Sequence, residues 1–255
     1  MKQKYRLTDE TIKHNGATLY RIEALRDFGD VTAGDKGGFV QSEINLSQEG
    51  DCWIYDEAAV YGKGWVSGKA KVSGKARVCG KAMVCGEAVV YGKARVYDEA
   101  WVSGEAEVYD KAEVYDKAEV GCKAKVCGKA KVSNKAMVCG EARVCGKAMV
   151  CGEAVVYGKA RVYDEAWVSG EAMVCGEAGI GCNAVIKSIQ DYIVFKNWWS
   201  SGRYFTWTRS NNMWKVGCFC GTGEELIKKA YADSEESGRE YERIVRYVES
   251  ILASK

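Results

Sequence analysis

Val66-Ser67-Gly68-Lys69-Ala70-Lys71-Val72-Ser73-Gly74-Lys75-Ala76-Arg77-Val78 is one six-residue pattern written twice. Outward from it, every sixth residue is aliphatic, from Ile54 through Val60, Val66 and Val72 to Ile180 and Ile186. Four residues after each, up to Ala184, comes a small residue, which is Ala throughout except at Gly64. Ala, an outward residue, Val and another outward residue alternate with period two, so Ala and Val point inward from a short strand. Gly, Asp or Asn followed by Lys or Glu makes the turn, because those residues tolerate unusual backbone angles. Such a unit is too short for a helix but suits one side of a coil. If three sides close a coil, 18 residues make one turn, and seven to eight coils give a rod roughly 35–40 Å long at the spacing of neighbouring strands. The chain has no proline, in keeping with a hydrogen-bonded backbone.

Residues 1–53 leave the pattern and are expected to cap the first coil, whose sheet edges would otherwise be open. Residues 54–186 are the solenoid, and 187–255 form an α+β module of three strands and two helices. In that module Asp191–Asn197, Arg203–Arg209 and Met213–Phe219 read as strands. Thr222, with Glu225 three residues on, reads as the N-cap of a first helix. A second helix is expected over Glu235–Leu252, with Tyr241, Ile244, Val245 and Val248 on one face.

The repeat resembles the hexapeptide of the left-handed parallel β-helix proteins, the fold of LpxA-like acyltransferases. That resemblance implies left-handed, three-sided coils and a homotrimer. Gly34-Asp35-Lys36-Gly37-Gly38-Phe39-Val40 and its surroundings resemble the N-terminal cap of YdcK-like hexapeptide proteins. Ser201-Gly202-Arg203 with Val216-Gly217-Cys218-Phe219-Cys220-Gly221-Thr222 resembles a small module that follows repeats in uncharacterised phage and prophage proteins.

Acyltransferases of this fold usually use a histidine base and a loop projecting from the coil. Here His14 is the one histidine, in a stretch that reads as a surface turn, and no insertion interrupts the hexads. Residues 78–106 also recur almost unchanged at 144–172, an offset of eleven hexads. Eleven is not a multiple of three, so the copy falls on another side of the rod, and a site built on one face would be scrambled. The expectation is a non-enzymatic scaffold of phage or prophage type. An acyltransferase with a displaced site and a purely structural virion or assembly component are the alternatives.

Most of the twelve cysteines occupy a repeat slot that Ser and Tyr also fill, so free thiols and a reducing, cytoplasmic setting (the bacterial host's, if phage-encoded) are expected. Cys218 and Cys220 make a C-x-C pair, too little for a zinc site or a catalytic thiol without a base. No cofactor or metal is expected. A net charge of +2 predicts no strong pull toward nucleic acid, although Lys75, Lys93, Lys111, Lys129 and Lys147 stack at one corner. No run of apolar residues is long enough for a membrane span.

Two surfaces are candidates for function. One outward column reads Trp65, Met83, Trp101, Glu119, Met137, Val155 and Met173, an apolar stripe suited to a trimer interface unless the C-terminal helix covers it. In the terminal module, Gly221, Thr222 and Gly223 offer helix-start N–H groups to an anion, Arg203 and Thr206 flank them, and Trp207 and Trp214 offer stacking surface. A nucleotide-type ligand, for instance one sequestered during host defence, would suit those groups.

Overall fold

In each hexad the turn residue adopts the left-handed conformation, as at Gly68 (φ +70°), Asp98 (φ +59°) and Asn134 (φ +59°). That single left-handed residue turns the corner, and the two residues x-Val before it pair as a minimal strand. The result, in a computed structural model that describes residues 3–253, is a parallel β-solenoid of about eight turns. Its three sides are sheets in which each strand pairs with the one 18 residues later, as Trp101 with Glu119 and Arg77 with Arg95. The inward Ala and Val of every hexad are essentially inaccessible to solvent. Each buried Val contributes ~1.5–3 kcal/mol before entropy.

The ladder has a direction. Most inter-coil backbone N–H groups donate to carbonyls of the next coil, as Trp101 N–H to Ala118 O at 2.9 Å. Parallel pairing sends the N–H of the inward Val back the other way, as Val120 toward the Trp101 carbonyl. The first coil therefore presents mostly carbonyls with no donor before them, and the last presents mostly N–H groups with no acceptor after them.

At the start, β1 (Tyr5–His14) and β2 (Ala17–Ala24) form an antiparallel hairpin, and β2 pairs with β3 (Lys36–Val40). From β3 onward the pairing is parallel: Val40 lies beside Val60, and Leu46 beside Val66. Val40 and Leu46 thus join Ile54 in the first coil, ahead of the unbroken hexads. The open carbonyls receive side-chain donors. Lys4 Nζ donates to Glu49 O, Gly50 O and Cys52 O at 3.4, 3.3 and 3.0 Å. Tyr5 OH donates toward Leu46 O at 2.8 Å and Glu43 O at 3.0 Å, and Arg21 Nη1 donates to Gly37 O at 2.8 Å. Lys4 and Tyr5 are both fully buried.

At the far end the chain forms an antiparallel sheet of four strands, Tyr192–Lys196, Tyr204–Thr208, Met213–Val216 and Phe219–Gly221. Three were expected. The third is split because Gly217 (φ +57°) turns the chain sharply, so that Val216 pairs with Phe219. Helices α1 (Gly223–Asp233) and α2 (Glu235–Ala253) pack on this sheet through Leu226, Ile227, Tyr241, Val245 and Val248. The open N–H groups of the last coil receive side-chain acceptors. Gly179 N–H donates to Thr206 Oγ1 (2.9 Å), Val185 N–H to Ser210 Oγ (2.8 Å) and Lys187 N–H to Asp191 Oδ2 (2.7 Å). A disulfide between Cys182 and Cys220 adds a covalent tie between coil and module. The expectation of free thiols is therefore corrected at this pair; the other ten cysteines are free. Among the described residues no helix is long and apolar enough to cross a membrane.

The internal copy is rotated as its offset requires. Trp101 lies in one side sheet and its counterpart Trp167 in another. Each indole N–H meets the thiol sulfur of the cysteine 16 residues earlier, Cys85 or Cys151, at 3.1 Å.

Candidate ligand-binding cleft

The strand Tyr204–Thr208 alternates its side chains between two environments. Phe205 and Trp207 face the helices, together with Trp214 of the neighbouring strand, and all three are buried in the module's core. Thr206 and Tyr204 face the rod, and Lys215 joins them because it pairs with Thr206 across the sheet. A cleft of about 760 Å³ opens there between module and last coils, lined by Tyr204, Thr206, Lys215, Arg203 and Cys218 from the module and by Arg161, Tyr163, Glu177 and Gly179 from the rod.

Two glycines of the last coil make room for this junction. A Cβ at Gly181 would stand 2.4 Å from the Tyr163 ring, and one at Gly179 would stand 3.3 Å from its hydroxyl. Tyr163 is thereby seated against the rod, and burial pushes its phenol pKa up. Lys215 Nζ lies 4.8 Å from the Tyr163 ring centroid, a cation–π contact that fixes the ammonium at the cleft wall. Arg161, Arg203 and Lys215 have no ion pair among the described residues. The one carboxylate of the lining, Glu177, is shared with Lys159 at 4.0 Å. Three cations against one carboxylate leave the cleft electropositive, which favours an anion. Tyr204, 43% exposed, adds a flat apolar surface.

The residues expected to form the site divide. Arg203 and Thr206 do line the cleft, Thr206 with its oxygen already engaged by Gly179 N–H. Trp207 and Trp214 are core residues, 1% exposed each, and offer no stacking surface; this corrects the expectation. Gly221 and Gly223 are also buried, where an added Cβ would meet Phe219 or Val245 at 2.5–2.6 Å. Thr222 caps α1, and Glu225 turns back so that its carboxylate accepts the Thr222 N–H at 2.8 Å. That bond holds the Glu225 pKa below its usual value. The helix start is thus occupied by the chain's own anion, correcting the reading of Gly221-Thr222-Gly223 as an anion cradle. Arg161, Tyr163 and Lys215 were missed; the period-two alternation in 204–216 does signal that Lys215 opposes the Trp face.

Cys220 is consumed by its disulfide, while Cys218 is free and exposed. Among the described residues no cluster of His, Cys, Asp and Glu could hold a metal. His14 is not a plain surface turn residue. Its ring packs edge-on against Tyr61 at 5.1 Å, and its Nε2 is buried without a partner.

On the stripe, Trp65, Trp101, Met137 and Met173 are 38–42% exposed, while Met83 and Val155 are half-buried. The C-terminal helices pack on their own sheet instead, and from the module Tyr192 reaches the stripe's end through its hydrogen bond to Met173 O. At the lysine corner Lys147 pairs with Glu165 at 2.6 Å, whereas Lys75, Lys93, Lys111 and Lys129 have no ion pair among the described residues.

Fold and repeat together define a hexapeptide-repeat β-solenoid with a capping module at each end. No family model matches the chain. Over 66 residues it is 42% identical to the "Uncharacterized acetyltransferase YdcK" of Escherichia coli (strain K12). That similarity spans 23% of this chain and 20% of the relative's length.

Proposed function

We propose that the chain is a non-enzymatic scaffold, of phage or prophage type by the resemblance of its C-terminal module. Its rods assemble as a homotrimer, and its terminal cleft binds a small anionic ligand of nucleotide type. The observation that carries the ligand reading is the convergence of Arg161, Arg203 and Lys215, none ion-paired among the described residues, around Tyr204. Phosphate oxygens would engage the guanidiniums through charge-assisted bonds, and a base or other flat group would lie on Tyr204. Isothermal titration of the full chain with a panel of mono- and dinucleotides tests this. Arg203→Gln and Lys215→Gln should each weaken binding about tenfold, the usual loss for one such bond. No binding by any member of the panel sinks the reading.

The trimer rests on the exposed stripe, which the chain leaves open along most of its length. Light scattering should give three times the chain mass, and Trp101→Lys should lower it. A monomeric mass for the unaltered chain refutes assembly.

The relative's name supports a second reading, acyl transfer. Turnover of acetyl-CoA with a panel of amine acceptors would establish it in place of the first.

A further inference from the structure

Arg77 and Arg95 sit directly opposite each other on adjacent strands. Arg77 has no ion pair among the described residues. Arg95 reaches Glu113 at 3.8 Å, a carboxylate that Lys131 also holds at 3.3 Å. Like charges carried on directly paired strands, whose backbones run about 4.8 Å apart, disfavour each other, and an anion between them would offset this. Beside them is a cavity of about 310 Å³, lined by Asn15, Tyr61, Arg77, Cys79, Arg95 and Tyr97. The hairpin between β1 and β2 closes one side of it with Asn15. His14 stands next to Tyr61 with its Nε2 buried and unpartnered. Burial first, then the two arginines, lowers the His14 pKa, so the imidazole is held neutral.

The same residues recur at the other end. Arg77, Cys79, Arg95 and Tyr97 return 66 residues later as Arg143, Cys145, Arg161 and Tyr163. Arg161 and Tyr163 line the C-terminal cleft. The whole quartet lines the N-terminal cavity, and two of its four counterparts line the C-terminal cleft.

We propose that the N-terminal cavity is a second binding site, which takes a small oxyanion of the phosphate-monoester class between Arg77 and Arg95. The two guanidiniums donate to the oxyanion, and Asn15 and the hydroxyl of Tyr97 supply neutral donors beside it, the Tyr61 hydroxyl being engaged by Cys79. A cavity of this size admits a phosphate with a small substituent. The site shares no residue with the C-terminal cleft, so either can fail without the other.

The test uses the full chain and inorganic phosphate as probe. His14 is the one histidine, so its imidazole resonances are assigned without a variant. Phosphate should shift them saturably and raise the His14 pKa, since a nearby negative charge favours the protonated ring. Chloride at matched ionic strength should not. Arg77→Gln should weaken the phosphate response about tenfold or more, the loss expected for a charge-assisted bond. Lys215→Gln, at the other end, should leave it unchanged. The proposal is overturned by a His14 signal that phosphate does not shift saturably, by an equal response to chloride, or by an Arg77→Gln response as tight as the unaltered chain's. The titration of the unaltered chain decides the matter even if a variant misfolds.

Discussion

The two ends of the rod meet opposite chemical demands. The first coil exposes carbonyl oxygens, and the chain answers with donors: an ammonium at Lys4, a guanidinium at Arg21 and a phenol at Tyr5. The last coil exposes N–H groups, and the chain answers with oxygens from Thr206, Ser210 and Asp191. A repeat that satisfies its own backbone in the middle has opposite unmet needs at its two ends. Two unrelated modules are therefore required, and they differ in cost. The N-terminal cap buries a cation, whose desolvation pulls the Lys4 pKa down. Of its acceptors the C-terminal cap buries the Thr206 hydroxyl, leaves Ser210 exposed and Asp191 half-buried, and it adds a disulfide.

The largest expected effect is at the charged end. Lys4→Met keeps most of the volume but strips donors from three carbonyls, and should cost about 4 kcal/mol at 1–3 kcal/mol per buried orphan. Urea unfolding followed by Trp53, buried in the N-terminal core, would read the loss. Next is Cys182→Ser. It opens a loop with a sequence separation of 38 and should destabilise the C-terminal module by ~3 kcal/mol. Hydrogen exchange should then rise in residues 192–253 and stay unchanged in 5–54. If both ends loosen together, the caps are not independent.

Thr206→Val is a smaller probe, isosteric and confined to one bond. It should cost ~1–2 kcal/mol by orphaning Gly179 N–H, measured as a shift in the thermal midpoint. The mildest effect tests a feature the ends share, the buried phenol. Tyr5, beside the first coil, has its pKa raised by burial, and Tyr192, beside the last, is pushed up to about 12. A pKa raised on folding means stability that is intact below the unfolded value of ~10 and lost as pH rises through the folded one. Melting temperature should fall between pH 10 and 12, and less steeply in Tyr192→Phe.

The solenoid was legible because Ala and Val alternate with turn residues at a fixed period, and because burial allows little else at those slots. Its beginning was less so. Val40 and Leu46 belong to the first coil, but eight residues separate Leu46 from Ile54, and that break in period hides them. The first two terminal strands were found within a residue, while the third ran across the turn at Gly217 that splits it in two. Their faces were not found, because Trp207 and Trp214 were weighed by their chemistry as stacking groups. Alternation with Phe205 places them in the core. Lys215 over Tyr163 joins residues 52 apart in the chain, and no local pattern announces such a pair. Lys4 as a fully buried cation was likewise invisible. A lysine near a chain start ordinarily reads as solvated, and only the open carbonyls of the first coil give it a reason to be inside.

The directional bias of the ladder has a further consequence. Two bare rods would be complementary tip to tail, donors meeting acceptors, and nothing in the repeat would halt the addition of a third. Such head-to-tail contacts do not close on themselves and propagate as fibres. The Lys4 ammonium and the Thr206 hydroxyl are, in this light, chain terminators: they convert a polymerisable unit into an object of defined length.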